Sequence, residues 1–289
     1  MSDTRFFGHP RGLSTLFFTE MWERFSYYGM RGILILFMTA PAAAGGLGFD
    51  TATAGPIYAL YVSSVYLLSV PGGWVADRVL GLRRAVFVGG VIIMMGHICL
   101  AVPSITTFYL GLALIATGTG LLKSNVSVLV GKLYSPDDVR RDAGYSIYYM
   151  GINTGALIAP IVTGWLAQGE SFKRILVSAG IRPDVSWHWG FGAAAVGMFL
   201  GLVQYVLGGK HLSADGLHPI RPSDPAAAAK ADHQVRLVGL LAVGIVIVVT
   251  VLVLSGLVGF DPEAISRNFK WVLIAVTVAF FAWLFLSRG

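Results

Sequence analysis

Four ionisable side chains, Glu20, Glu23, Arg24 and Arg31, fall within one otherwise apolar stretch of this 289-residue sequence. At about 100° per residue, Glu20, Glu23, Arg24, Tyr27, Tyr28 and Arg31 share a helical arc of roughly 140°, with Trp22 and Phe25 outside it. This spacing lets both carboxylates approach Arg24. A charge at the centre of a membrane span costs about 2.5 to 3.5 kcal/mol on insertion scales, unless it pairs and faces a hydrated cavity. One reading is a static ion network that fixes helix packing. The other is a proton-coupling switch, in which Arg24 favours ionised carboxylates, desolvation favours protonated ones, and breaking the pair releases a proton acceptor. Four charges and two tyrosines on one face favour the switch.

The helix that carries this face belongs to a strongly apolar chain. The composition is 55% apolar and 12% charged, with a mean hydropathy of +0.72, far from the roughly 25% charged residues of a soluble domain. Apolar blocks long enough to cross about 30 Å of hydrocarbon lie near 14–38, 56–76, 86–102, 108–130, 145–167, 189–207, 237–257 and 269–287. Small-residue spacings, Gly111 to Gly118 to Gly120 and Gly151 to Gly155 with Pro160, suit close helix contact in lipid. The first block is too long and too charged for a cleavable signal peptide and reads as a retained helix.

With the N-terminus placed in the cytoplasm, thirteen of the loop and terminal Lys and Arg residues fall inside and five outside. The net charge of +6 therefore reflects topology, and no nucleic-acid partner is expected. Cys99 is the lone cysteine, and His97, His188 and His211 lack ligand spacing, so neither a disulfide nor a metal site is expected. There is no phosphate-cradling loop. The Pro- and Ala-rich stretch from Gly208 reads as a cytoplasmic linker, 208–236, between a six-helix bundle over 1–207 and a helical pair over 237–289.

Glu20-x-x-Glu-Arg-Phe-x-Tyr-Tyr-Gly29 resembles the signature of the proton-dependent oligopeptide transporter family (POT/PTR) of the major facilitator superfamily. The resemblance implies an all-α membrane protein, with an N-terminal six-helix bundle, an additional two-helix pair and a C-terminal six-helix bundle that the chain lacks. It assigns proton coupling to Glu20, Glu23 and Arg24, peptide-carboxylate contact to Arg31, and the cavity wall to Tyr27 and Tyr28.

Further motifs agree. Gly73-Trp-Val-Ala-Asp77-Arg78-Val-Leu-Gly81-Leu-Arg83-Arg84 resembles the superfamily loop between helices 2 and 3, which puts gating on Asp77, Arg78 and Arg84. Both signs of charge at the rim suit a latch, although Arg83 and Arg84 equally suit a purely topological role. Tyr66 matches a cavity tyrosine of the family, packing being the alternative. Lys123 stands deep in an apolar span, where the resemblance offers substrate carboxylate binding or proton coupling; Ser124 replaces the family's usual proline. Tyr148-Tyr149-x-x-Ile-Asn153-x-Gly155 resembles another family signature, and Asn153 suits either a peptide contact or an interhelical hydrogen bond.

The expected function is therefore proton-coupled symport of di- and tripeptides by alternating access. The protein is not an enzyme, has no cofactor beyond the coupling proton, and spans the inner membrane several times. Its expected partners are the peptide, the bilayer and the missing C-terminal bundle. The alternatives are a non-transporting membrane fragment or partner-binding half, or a family member that carries nitrate or another small anion.

Overall fold

The computed structural model describes residues 6–254, apart from 213, 220 and 222, and scattered positions between 264 and 282. The described residues form helices with no named strand: α1 (Gly12–Thr39), α2 (Thr51–Leu67), α3 (Ser69–Val75), α4 (Leu82–Leu100), α5 (Ile105–Gly131), α6 (Arg141–Gln168), α7 (Glu170–Ser178), α8 (Ser186–Gly208) and α9 (Pro225–Leu254). Five segments are long and apolar enough to cross a membrane: Thr51–Leu80, Leu82–Leu100, Ile105–Gly131, Arg141–Gln168 and Pro183–His211. α1 has 28 residues, about 42 Å of helix, and carries the four charges noted above. Of the expected spans, 237–257 falls largely within α9, while 269–287 lies outside the described residues apart from isolated positions.

Small residues set the helix seams, as the glycine spacings suggest. Lipid tails are as apolar as Leu side chains, so helices gain little by hiding apolar surface from lipid and associate through close packing instead. On the α4–α5 seam, an added Cβ at Gly111 would stand 2.8 Å from the Gly96 carbonyl, and one at Gly118 2.5 Å from that of Gly89. On the α1–α6 seam, a Cβ at Gly155 would press on the Met21 carbonyl and come 3.1 Å from the Arg24 Cβ. One turn further along the same face of α6 from the buried Ala159, Thr163 donates to the Gly29 carbonyl at 3.1 Å.

α2 and α3 form one broken span. Gly120 of α5 is pressed against the Leu68 carbonyl at the break, and α3 continues as a single π-turn, Ala76–Leu80. Gly81 then takes φ +79°, a left-handed conformation that favours glycine, and α4 begins.

At the same end of the bundle the N-terminal segment folds back. Phe6 and His9 pair across a tight turn, His9 Nδ1 lies 2.9 Å from the Tyr134 hydroxyl, and Arg140 donates to the Gly8 carbonyl at 3.0 Å. Arg140 also holds the Asp138 carboxyl down at about 2 by hydrogen bonding, so this loop pair stays ionised at neutral pH.

The stretch expected as a linker over 208–236 differs in two ways. Its first part is docked, with Leu212 buried and Leu217 against Gly81. Its last part is helical from Pro225, twelve residues before the expected start at 237. The Asp224 carboxylate caps the Ala227 N–H at 2.9 Å. Proline suits a first helical position, and alanine is the strongest helix former, so the Ala run propagates the helix.

His97 is fully buried in α4, and neither ring nitrogen has a hydrogen-bond partner. An unmet buried polar group costs about 1–3 kcal/mol. His97→Leu is therefore expected to raise the thermal midpoint of the detergent-solubilised protein, and Gly155→Val to lower it sharply; differential scanning fluorimetry checks both.

Candidate functional site

The charged face of α1 points into the bundle. Glu20, Glu23 and Arg24 have side-chain exposures of 5% or less. Arg24 Nε lies 3.0 Å from Glu20 Oε1 and is hydrogen-bonded to Glu23 Oε2. The sequence therefore placed this cluster correctly. One guanidinium serves two carboxylates, so the cluster carries a surplus negative charge when both are ionised. Among the described residues, Glu23 Oε1 and Arg24 Nη2 are buried without a hydrogen bond of good geometry, and the Tyr148 hydroxyl lies close to the Glu20 carboxylate.

A wall of alternating cations and phenols leads away from it. Arg24 lies over the Tyr27 ring at 5.2 Å, and Arg31 approaches the same ring at 6.0 Å. Tyr28 meets Tyr27 edge-on, with ring centroids 5.3 Å apart. Arg31 donates to the Tyr58 hydroxyl of α2 at 2.6 Å. On the facing helices, the Lys123 ammonium of α5 sits over the Tyr66 ring of α2 at 4.2 Å and within electrostatic reach of Glu23. Tyr66 itself is 56% exposed. The structure thus brings together Glu20, Glu23, Arg24, Tyr27, Tyr28, Arg31, Tyr66 and Lys123.

Asn153 is on an exposed face of α6 and has no recorded hydrogen bond. Asp77, Arg78 and Arg84 are exposed on the π-turn and the start of α4, and none of them enters an ion pair among the described residues. The residue that ties this corner down is Arg83. Its Nη2 donates to the Gly209 carbonyl at 2.7 Å, and its own carbonyl accepts from Tyr205 at 3.0 Å.

Two tyrosines of the site, Tyr58 and Tyr61, escaped the motif reading, and Tyr148, quoted only as part of a family signature, joins them. Tyr58 holds Arg31, and Tyr61 is buried with its hydroxyl unpaired. Tyr148 of α6 lies within electrostatic reach of Glu20, Glu23 and Arg24. A signal was present for the first two: at 100° per residue, Tyr58, Tyr61 and Tyr66 share an arc of about 140°, as on α1. Among the described residues no group of three or more His, Cys, Asp or Glu could hold a metal ion.

A buried carboxylate–guanidinium cluster among long apolar helices marks a multi-pass membrane protein with ionisable groups in its interior. The POT family model matches residues 83–219, so this part of the chain carries a POT family domain. It is 48% identical over 248 residues to an uncharacterized transporter of Bacillus subtilis, covering 85% of this chain and 46% of that protein. It is 40% identical to a di-/tripeptide transporter of Lactococcus lactis subsp. cremoris, covering 99% of this chain and 55% of the relative. A crystal structure of peptide transporter POT in complex with sulfate superposes with a TM-score of 0.83 at 44% identity, covering 98% of this chain and 54% of that one. The chain spans about half the length of the curated relatives it matches.

Removing one partner from a buried ion network strands the others. Arg24→Gln leaves two carboxylates facing each other without their cation and is expected to cost about 3–5 kcal/mol of stability. Glu20→Gln leaves the Arg24–Glu23 pair and should cost less. Chemical denaturation monitored by tryptophan fluorescence gives the ranking; an Arg24→Gln protein as stable as the parent would mean that the carboxylates are already neutral.

Proposed function

We propose that the chain is the N-terminal part of a proton-coupled symporter of di- and tripeptides. In this reading 1–207 is its N-terminal six-helix bundle, the helical pair begins at Pro225, and a C-terminal bundle completes the peptide site and the opposing gate. The protein is a transporter rather than an enzyme, sits in the inner membrane with its N-terminus in the cytoplasm, and uses the proton as its only coupling species. The carrying observation is the Glu20–Arg24–Glu23 cluster within reach of Lys123. Its surplus negative charge is neutralised either by a proton or by the Lys123 ammonium, and these two exclude each other. Proton arrival on the carboxylates frees Lys123 from Glu23, and proton release draws it back.

Substrate recognition follows from the same wall. A peptide carboxylate needs a cation whose charge is not already cancelled. Arg31 meets that need, since it is hydrogen-bonded to the neutral Tyr58 and flanked by Tyr27, and Lys123 meets it when the carboxylates are protonated. Tyr27, Tyr28 and Tyr66 line the peptide, and Asn153 reaches its backbone. Asp77, Arg78 and Arg84 latch the cytoplasmic rim against the second bundle. The sequence identity to a di-/tripeptide transporter along 99% of this chain supports this substrate class over a small anion.

In proteoliposomes with the second bundle restored, Glu23→Gln should abolish proton-driven dipeptide accumulation while counterflow exchange persists. Uptake of labelled dipeptide that nitrate displaces and unlabelled dipeptide does not would overturn the peptide assignment. No proton-driven uptake by the unsubstituted protein would overturn the symport reading.

A further inference from the structure

Away from the charged wall, two cavities meet at the end of the bundle opposite the N-terminus. The first is a groove of about 460 Å³ between α4, α6 and α8, lined by Ala101, Leu166, Trp189, Ala193 and Val196. The second, of about 240 Å³, is bordered by Gly45, Gly46, Ser104 and Asp184. Pro103, Val185 and His188 line both, so the two are continuous. Each exceeds the roughly 30 Å³ share of one water several times over. His188 stands at the junction with a buried Nδ1 that lacks a hydrogen bond of good geometry, although the Val185 carbonyl is electrostatically close.

The surroundings place this pair of chambers at a membrane surface. Trp165 and Trp189, each about half exposed, flank the buried Phe172 of α7, with ring centroids 5.2 and 6.0 Å away. Trp165 Nε1 donates to Ser171 at 2.8 Å. Tryptophans with an apolar body and a bonded N–H concentrate at the headgroup level. Val196 and Phe199 are exposed on α8, and Leu157 and Ile161 on α6, an apolar surface of the kind that meets hydrocarbon.

We propose that the paired cavities bind one phospholipid with an ethanolamine headgroup, its acyl chain in the groove and its headgroup in the smaller chamber, at Asp184 and His188. The chamber's charge selects the headgroup. Its lining carboxylate, Asp184, accepts from Arg182 at 3.1 and 2.5 Å and keeps further lone pairs, so the pair presents one charge of each sign. A zwitterion fits: its primary ammonium offers three N–H donors to Asp184, and its phosphate faces the His188 ring. Choline has no N–H to donate. Gly45, at φ +80° and pressed against the Asp184 carbonyl, fixes this wall. This inference does not depend on what the protein transports.

The test is native mass spectrometry of the whole chain in detergent with equal amounts of dioleoyl phosphatidylethanolamine, phosphatidylcholine and phosphatidylglycerol. The ethanolamine lipid should be retained about tenfold over the other two, the size expected for a hydrogen bond to a charged group. Ala193→Trp, which fills the groove, should reduce retention of all three, and Asp184→Asn should erase the preference while lipid still binds. Equal retention of the three lipids by the unsubstituted chain, or unchanged retention in Ala193→Trp, would mean annular lipid only and overturn the proposal. Asp184→Asn alters one loop charge and decides the matter even if Ala193→Trp does not fold: an ethanolamine preference that survives it sinks the site.

Discussion

One guanidinium shared by two carboxylates inside a lipid-embedded bundle is the constraint around which the rest is arranged. Such a cluster is tolerable only if lipid tails are kept from it and its charges are paired in a firmly held geometry. That requirement places α1 at the centre of the bundle, enclosed by α6, α8 and α2, with Leu13, Leu16, Met30 and Leu34 fully buried on the same helix as the charges. It also explains why α1 falls outside the set of helices apolar enough to span on composition alone: its polarity is turned inward.

The glycine seams and the ion cluster form one mechanical unit. Gly155 lets α6 approach until its backbone meets the Met21 carbonyl and the Arg24 Cβ, which closes the cluster from one side. Gly197 of α8 performs the same service for Phe25, whose ring would stand 2.5 Å from an added Cβ there. A larger side chain at either place would push a helix off α1 and loosen the packing that holds the paired charges in place. In lipid, where burial of apolar surface contributes little to helix association, such contacts and the hydrogen bond from Thr163 to Gly29 carry the packing.

Much of this was legible in the sequence because it is local. Hydropathy located the five apolar spans, and the 3.6-residue period put Glu20, Glu23, Arg24, Tyr27 and Arg31 on one face. What escaped is non-local. That Tyr58 would hold Arg31, 27 residues away, depends on how α2 leans on α1, and that Arg83 rather than Arg84 would anchor the rim depends on α8 ending beside it. The early start of α9 was missed for a different reason: prolines upstream suggested a loop, whereas Asp224-Pro225 followed by alanines is a helix start with its own cap. His97 carried no sequence signal either, since a lone histidine in an apolar run does not reveal whether its nitrogens will be met.

The wall also separates two uses of positive charge by the partner each cation receives. Arg24 is bonded to carboxylates, and its charge is cancelled where it stands. Arg31 is bonded to a phenol, and Lys123 lies over a phenol ring, contacts that orient a cation without neutralising it. Burial follows the same order: Arg24 is closed off, whereas Arg31 and Lys123 are part exposed. A cation cancelled at depth suits the storage or relay of a proton, and one held by aromatics at an open face suits an incoming anion. Exchanging the two arrangements would fail on both counts, because a carboxylate at Tyr58 would cancel the charge of Arg31 and a phenol at Glu23 would remove the surplus negative charge that a proton can answer. The order of partners along α1 thus follows from what each depth can stabilise, and it is the feature from which coupling between proton and peptide can be built.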